Sequence, residues 1–130
     1  MAVGILLMTH PGLGAALIDA VEARRKLPLV CAAFEVPTGA DIDTLLPAAS
    51  AALRKVDGGE GVLLLSDMQG SSASVLAARL AHLGTPTRRV SGLSLPMLMR
   101  VLDYAEQPLE EMPATATAGA RNGAILDGDG

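Results

Sequence analysis

Apolar runs of strand length alternate along this chain with stretches whose apolar positions recur every three or four residues. The runs fall at residues 3–8, 29–35, 61–66 and 87–92. Val62-Leu-Leu-Leu65 shows no polar alternation, as a strand covered on both faces requires. Between the runs, the spacing predicts helices over residues 13–25, 41–55 and 71–83. In the second of these, Ile42, Leu45, Leu46, Ala49 and Leu53 form one apolar stripe. A fourth helix follows Pro96, since a helix start loses nothing by proline's missing N–H. Alternation of this kind predicts an α/β fold: a four-stranded parallel sheet with crossover helices.

Turn chemistry at Pro37-Thr-Gly39, Asp57-Gly-Gly59 and Gly84-Thr-Pro86 separates the elements. Asp57-Gly58-Gly59-Glu60 lacks the alternating oxygen ligands of a calcium loop and reads as a surface turn. The tail is less regular. Residues 109–119 have helical length, but Pro113 predicts a break or a kink there. Residues 123–127 are short and apolar and read as a final strand. Residues 1–130 are read as one domain.

Composition narrows the possible partners. Half of the residues are apolar but only 2% are aromatic, Phe34 and Tyr104, which argues against aromatic stacking on bases. A net charge of −4 and a pI near 5.0 also count against nucleic acid, whose phosphates demand a basic face. Arg24-Arg25-Lys26 reads as a solvated helix end whose cations complement the helix dipole. Cys31, the lone cysteine, makes neither a disulfide nor a metal set and reads as a buried small hydrophobe. No Lys or Arg precedes Arg24, so the apolar opening lacks a signal peptide's charged region. It is also broken at Thr9-His10-Pro11-Gly12, short of the roughly 18 apolar residues of a bilayer span. The expectation is a soluble, cytoplasmic protein.

The candidate chemistry lies at two strand ends. The first run leads into Thr9-His10, then into Pro11-Gly12-Leu13-Gly14 and a helix. This puts an imidazole outside the carboxyl ends of parallel strands, where such sheets bind ligands. The first-turn amides of the following helix suit a phosphate, and imidazole carries a phosphoryl group near neutral pH. The bland reading of His10 is a strand-end residue capped by backbone. The third run ends in Ser66-Asp67, followed by Gly70-Ser71-Ser72 at a helix start. Asp67 is placed to accept from one ring nitrogen of His10, which would fix the tautomer and leave the other nitrogen nucleophilic. Its bland reading is a turn carboxylate. Gly12, Gly70, Ser71 and Ser72 are the candidate phosphate contacts, and plain N-capping competes for both serines. His82, in Leu80-Ala-His-Leu-Gly84, reads as a solvated helix end away from this site. No metal and no cofactor are called for.

Along almost its whole length the chain resembles the IIA domain of the mannose family of the bacterial sugar phosphotransferase system. The likeness rests on Thr9-His10, on Gly61-Val-Leu-Leu-Leu-Ser-Asp67 with Gly70-Ser-Ser72, and above all on Gly92-Leu-Ser-Leu-Pro-Met-Leu98. Ser94 stands where that family usually has Asn, Gln69 where an aromatic is common, and Gly70-Ser71-Ser72-Ala73 where Gly-Gly-Ser-Pro is usual. The resemblance puts the phosphorylated histidine at His10, the orienting aspartate at Asp67 and the phosphate-contacting serine at Ser72. It implies the phosphocarrier HPr as donor and a IIB-type acceptor or a regulatory target downstream. A membrane would then be reached only through a transporter complex. It implies a doubly wound three-layer sandwich, with residues 123–127 as an antiparallel strand exchanged in a homodimer. The sequence carries no IIB domain, so the expectation is a separate permease subunit or a regulatory member, with Gln69 and Ser71 favouring regulation. Two alternatives stand beside this. One is the phosphotransfer subunit of a phosphoenolpyruvate-dependent dihydroxyacetone kinase, against which residues 92–98 speak. The other is a non-catalytic nucleotide or small-ligand module suggested by Gly12-x-Gly14 and Glu35; it fails at Leu17, where a third glycine would be needed.

Overall fold

The computed structural model describes residues 2–27 and 30–128. Strands β1 (Gly4–Thr9), β2 (Cys31–Glu35), β3 (Val62–Ser66) and β4 (Thr87–Ser91) form one parallel sheet in the order β2-β1-β3-β4. The helices are α1 (Leu13–Glu22), α2 (Ile42–Val56), α3 (Ser72–Leu80), α4 (Leu95–Asp103) and α5 (Met112–Gly123), with a 3₁₀ turn at Leu109–Glu111.

Side chains alternate across the strands and feed two cores. Ile5, Leu7, Leu63, Leu65 and Val90 pack under α1, α4 and α5. Leu6, Met8, Val62 and Leu64 pack under α2 and α3. Every residue of β1 and β3 is buried, which accounts for the apolar runs that end in the polar Thr9 and Ser66. The result is the four-stranded parallel α/β fold that the sequence pattern predicts, in the doubly wound three-layer form that the family resemblance implies.

Most differences from the predicted elements lie at element ends. Leu29, the expected start of the second strand, lies outside the described residues. Helix α1 stops at Glu22, so Arg24-Arg25-Lys26 follows the helix rather than closing it, and Arg25 forms an ion pair with Asp103 on α4. Helix α3 stops at Leu80, which leaves His82 exposed in the turn beyond it. Asp57 behaves as a turn carboxylate, its Oδ1 accepting from the amides of Gly59 at 2.9 Å and Gly61 at 3.2 Å. Cys31 is buried, and burial followed by the nearby Glu22 charge pushes its thiol up to about 12.

Pro113 neither breaks nor kinks a helix. It sits in the first turn of α5, where no intrahelical N–H bond is lost. Residues 124–127 take no strand in the single chain, and Ile125 and Leu126 are 72% and 89% exposed.

Candidate functional site

The strand order decides where a site forms. From β1 the chain crosses to β2 on one side, and β3 is followed by β4 on the other. The crevice between the ends of β1 and β3 is therefore the topological switch point, where open α/β sheets bind ligands. His10 follows β1 and Asp67 follows β3, so residues 57 apart in sequence meet there.

One carboxylate oxygen holds His10 twice. Asp67 Oδ2 accepts the His10 backbone N–H at 2.9 Å and lies 2.6 Å from ring Nδ1. The Asp67 side chain is only 7% exposed, whereas the His10 ring is 38% exposed. Burial pushes the Asp67 carboxyl up, but the His10 amide, the His10 ring and its charge together outweigh this and hold it below the ordinary carboxylate range. Asp67 is thus ionised at neutral pH and can only accept, so Nδ1 carries the proton and Nε2 is left with the lone pair. Asp67 Oδ1 is buried and has no partner among the described residues.

Two helices begin beside this pair, and they differ in what already occupies their first amides. At α1, Leu13 N–H donates to the His10 carbonyl at 3.2 Å, Gly14 N–H to Thr9 Oγ1 at 2.9 Å, and Ala15 N–H to Glu35 Oε2 at 3.3 Å. The helix start that the sequence reading offers to a phosphate is therefore filled from within the chain. Gly12 serves as its N-cap with φ +87°, a conformation that glycine adopts without strain. At α3, the amides of Ser72 and Ala73 take no acceptor among the described residues. Gly70, at φ +86°, turns the chain into that helix.

The two serines divide the roles that the sequence left open for both. Ser71 is the N-cap of α3, its Oγ accepting from Ser74 N–H at 3.2 Å. Ser72 does not cap. Its Oγ accepts the N–H of Gly39 at 3.1 Å, which leaves the hydroxyl proton free to be donated elsewhere. Gly39 is a contributor that sequence reasoning missed, and Glu35 entered that reasoning only as part of a nucleotide fingerprint, not as a partner of the α1 start. The strand-end position of Glu35 was visible in the sequence, whereas nothing there pointed Gly39 at Ser72.

Residues 92–94 complete the rim. The N–H groups of Gly92 and Leu93 both donate to the Ser66 carbonyl at 3.0 Å, tying the end of β4 to the end of β3. Ser94 caps α4 by accepting from Met97 N–H at 3.2 Å, the service that Asn also performs at helix starts. The unusual residue in this stretch is thereby a conservative one. Among the described residues no three His, Cys, Asp or Glu gather as metal ligands, and no helix is long and apolar enough to cross a membrane.

Comparison with known proteins agrees with this fold and supplies a family. The family model described as "EIIA-man: PTS system fructose IIA component" matches residues 4–116. A putative phosphotransferase enzyme IIA component of Escherichia coli (strain K12), YadI, is 27% identical over 103 residues, covering 79% of this chain and 70% of that protein. The mannose/sorbose specific IIA subunit from Enterococcus faecalis superposes with a TM-score of 0.86 at 17% identity, over 100% of this chain and 98% of that one. Phosphotransferase system component EIIA from Streptococcus agalactiae gives a TM-score of 0.82 at 14% identity, over 95% and 96% of the two chains. At such identities the superpositions speak for the fold, and the family match speaks for the lineage.

Proposed function

The chain belongs to the EIIA-man family of phosphotransferase-system IIA components, and on that premise we propose that it is a phosphocarrier which takes a phosphoryl group onto His10 from phospho-HPr. The observation that carries this reading is the 2.6 Å contact between His10 Nδ1 and a buried, ionised Asp67 at the switch point. The Nε2 lone pair attacks the donor's phosphorus, a P–N bond forms as the donor's own P–N bond breaks, and the departing donor imidazole takes back that electron pair. The proton stays on Nδ1, and the positive charge that the ring acquires is met by the Asp67 carboxylate. Ser72, with its hydroxyl proton free, and the Ser72 and Ala73 amides, which have no acceptor among the described residues, are the donors for the phosphoryl oxygens. Little else is required, because phosphoryl transfer is governed by positioning and charge stabilisation. The phosphoryl group then passes to a IIB-type acceptor in the cytoplasm, or its presence serves as a regulatory signal.

The test is direct. Incubated with enzyme I, HPr and phosphoenolpyruvate, the protein gains one acid-labile, base-stable phosphoryl group, as a phosphoramidate must. His10→Ala abolishes the labelling while leaving the fold intact. Labelling that survives in His10→Ala moves the role away from this residue and overturns the reading.

The same reading extends to assembly, as a homodimer formed by exchange of the C-terminal segment. In the single chain β4 is a sheet edge, and a cavity of about 730 Å³ runs along it, lined by Leu64, Ser66, Ala77, Arg89 and Ser91 among others. Open edges of this kind are normally paired or covered. The apolar tail with Ile125 and Leu126 exposed is the strand without a sheet, and β4 of a second copy is the sheet without a strand. Light scattering on the full chain and on a chain ending at Asn122 checks this. A full-length monomer, or a shortened chain that dimerises equally well, removes the exchanged strand.

A further inference from the structure

Thr9 is a buried polar residue in a strand that otherwise reads as pure hydrophobe. It closes β1 with 0% exposure, in a position where Val would fit the same space. A hydroxyl buried there is costly unless it is fully bonded, and this one is. Thr9 Oγ1 donates to the His10 carbonyl at 2.8 Å and accepts from the Gly14 N–H at 2.9 Å. The directions are forced, because Gly14 offers only a proton and the carbonyl offers only lone pairs. Gly14 is cut to suit this contact: a Cβ there would stand 3.1 Å from Thr9 Oγ1 and 3.0 Å from Ala33 Cβ.

We propose that Thr9 is a positioning residue for phosphoryl transfer, its hydroxyl clamping the β1–α1 turn so that the His10 ring is presented in one orientation; this rests on the phosphocarrier reading above. Asp67 grips His10 from the neighbouring strand, through the backbone N–H and Nδ1. Thr9 grips it from its own strand, through the carbonyl. The Leu13 N–H shares that carbonyl at 3.2 Å. Every polar group of His10 except Nε2 is thereby held. Two grips acting on opposite sides of the residue fix the ring more tightly than the carboxylate alone, and the rate of a group transfer is sensitive to small displacements of the attacking atom.

The experiment compares Thr9→Val, which keeps the shape and removes the hydroxyl, with Thr9→Ser, which keeps the hydroxyl. Thr9→Val is expected to slow phosphorylation about tenfold or more, with KM for phospho-HPr unchanged within about twofold. Thr9→Ser is expected to restore the rate to within about threefold of wild type. The His10 Nδ1 signal, which reports the bond to Asp67 and is read by ¹⁵N NMR on the unphosphorylated protein, is expected to shift in Thr9→Val as the ring reorients and to return to its wild-type position in Thr9→Ser. A purely structural role would lower thermal stability without moving that signal. Should Thr9→Val not fold, Thr9→Ala, which leaves room for a water at the freed Gly14 amide, is read against the same outcomes. Wild-type ring signals in a folded Thr9→Val or Thr9→Ala protein overturn the proposal, as does a wild-type rate. Failure of the wild-type protein to accept a phosphoryl group sinks the phosphocarrier reading instead, and the ring signals still decide whether Thr9 orients His10.

Discussion

Asp67→Asn removes one charge and almost no volume, so its effect turns on which bonds to His10 survive and where the ring proton sits. In wild type, Oδ2 accepts two N–H groups of His10, at 2.9 Å and 2.6 Å, while Oδ1 is buried without a partner among the described residues. An amide offers one oxygen and one NH2 and must choose between the two positions. With its oxygen in the Oδ2 position, both bonds to His10 persist and the buried NH2 goes unpaired, at a cost of about 1–3 kcal/mol. Turned over, the NH2 can donate to Nδ1 only if the ring proton moves to Nε2, and it still faces the His10 backbone N–H, so that bond, about 0.5–1.5 kcal/mol, is lost and a buried donor goes unpaired at about 1–3 kcal/mol. The first arrangement wins. The backbone N–H of His10, which cannot change its protonation state, therefore anchors the amide and keeps the proton on Nδ1.

What Asp67→Asn loses is the charge that meets the ring cation formed on phosphorylation. Removal of an orienting or acid–base partner costs about 10²–10⁴-fold in rate. With the tautomer preserved, the loss belongs at the low end, about 10²-fold, or about 2.7 kcal/mol of barrier. Asp67→Ala frees the tautomer too and falls toward about 10⁴-fold. Rapid-quench transfer from radiolabelled phospho-HPr measures both rates, and ¹⁵N NMR reads the tautomer. An Asn variant that works at the wild-type rate reduces Asp67 to a turn residue. An Asn variant as slow as Ala, with the ring proton moved to Nε2, refutes the anchoring argument.

The remaining predictions concern stability and the two serines. Because the Asp67 carboxyl sits below its ordinary value in the folded state, its contribution is present above the unfolded-state pKa, about 3.9, and is lost as pH falls through the lower folded value. Thermal unfolding measured across the acid range should therefore fall more steeply for wild type than for Asp67→Asn; parallel curves would refute this. Ser71→Ala removes the α3 cap and should cost about 0.5–2 kcal/mol in denaturant unfolding. Ser72→Ala removes no cap and should cost less stability, but it should slow phosphorylation more than Ser71→Ala does. The reverse ranking in rate would move the phosphate contact from Ser72 to Ser71.

The sheet was legible in the sequence because β1 and β3 are buried on both faces and so could not tolerate polar alternation. Element ends were less legible, because local preference supports two outcomes there. Pro113 illustrates this. Proline breaks a helix interior and suits a helix start equally well, and what decides is where the helix begins. Here the 3₁₀ turn buries Leu109, and Met112 follows into the core with 0% exposure, so α5 starts at Met112 and Pro113 falls in its first turn. The two adjacent serines are the same case in miniature. Ser71, still extended at ψ 164°, turns its side chain onto the Ser74 amide of the helix that follows, whereas Ser72 is already helical and faces the Pro37–Gly39 turn. Residue type alone does not distinguish them.

The clearest gap between sequence and structure lies in which helix start serves the site. Both α1 and α3 begin at the switch point, and both follow glycine-bearing turns. The sequence offers both, α1 through Gly12 and its first-turn amides just after His10, and α3 through Gly70, Ser71 and Ser72. What separates them is Glu35, which pairs in register with Thr9 and so stands beside the end of β1. Its carboxylate accepts from the Ala15 amide and places a negative charge at the start of α1. The position that a nucleotide's phosphates would need at this helix is thus already held by the chain's own carboxylate. On the phosphocarrier proposal, a phosphoryl group on His10 would meet repulsion on that side and open amides on the other, which is why its proposed donors are Ser72 and the α3 amides. The acidic residue that made a nucleotide site conceivable in the sequence is the residue that, in the fold, turns α1 away from phosphate.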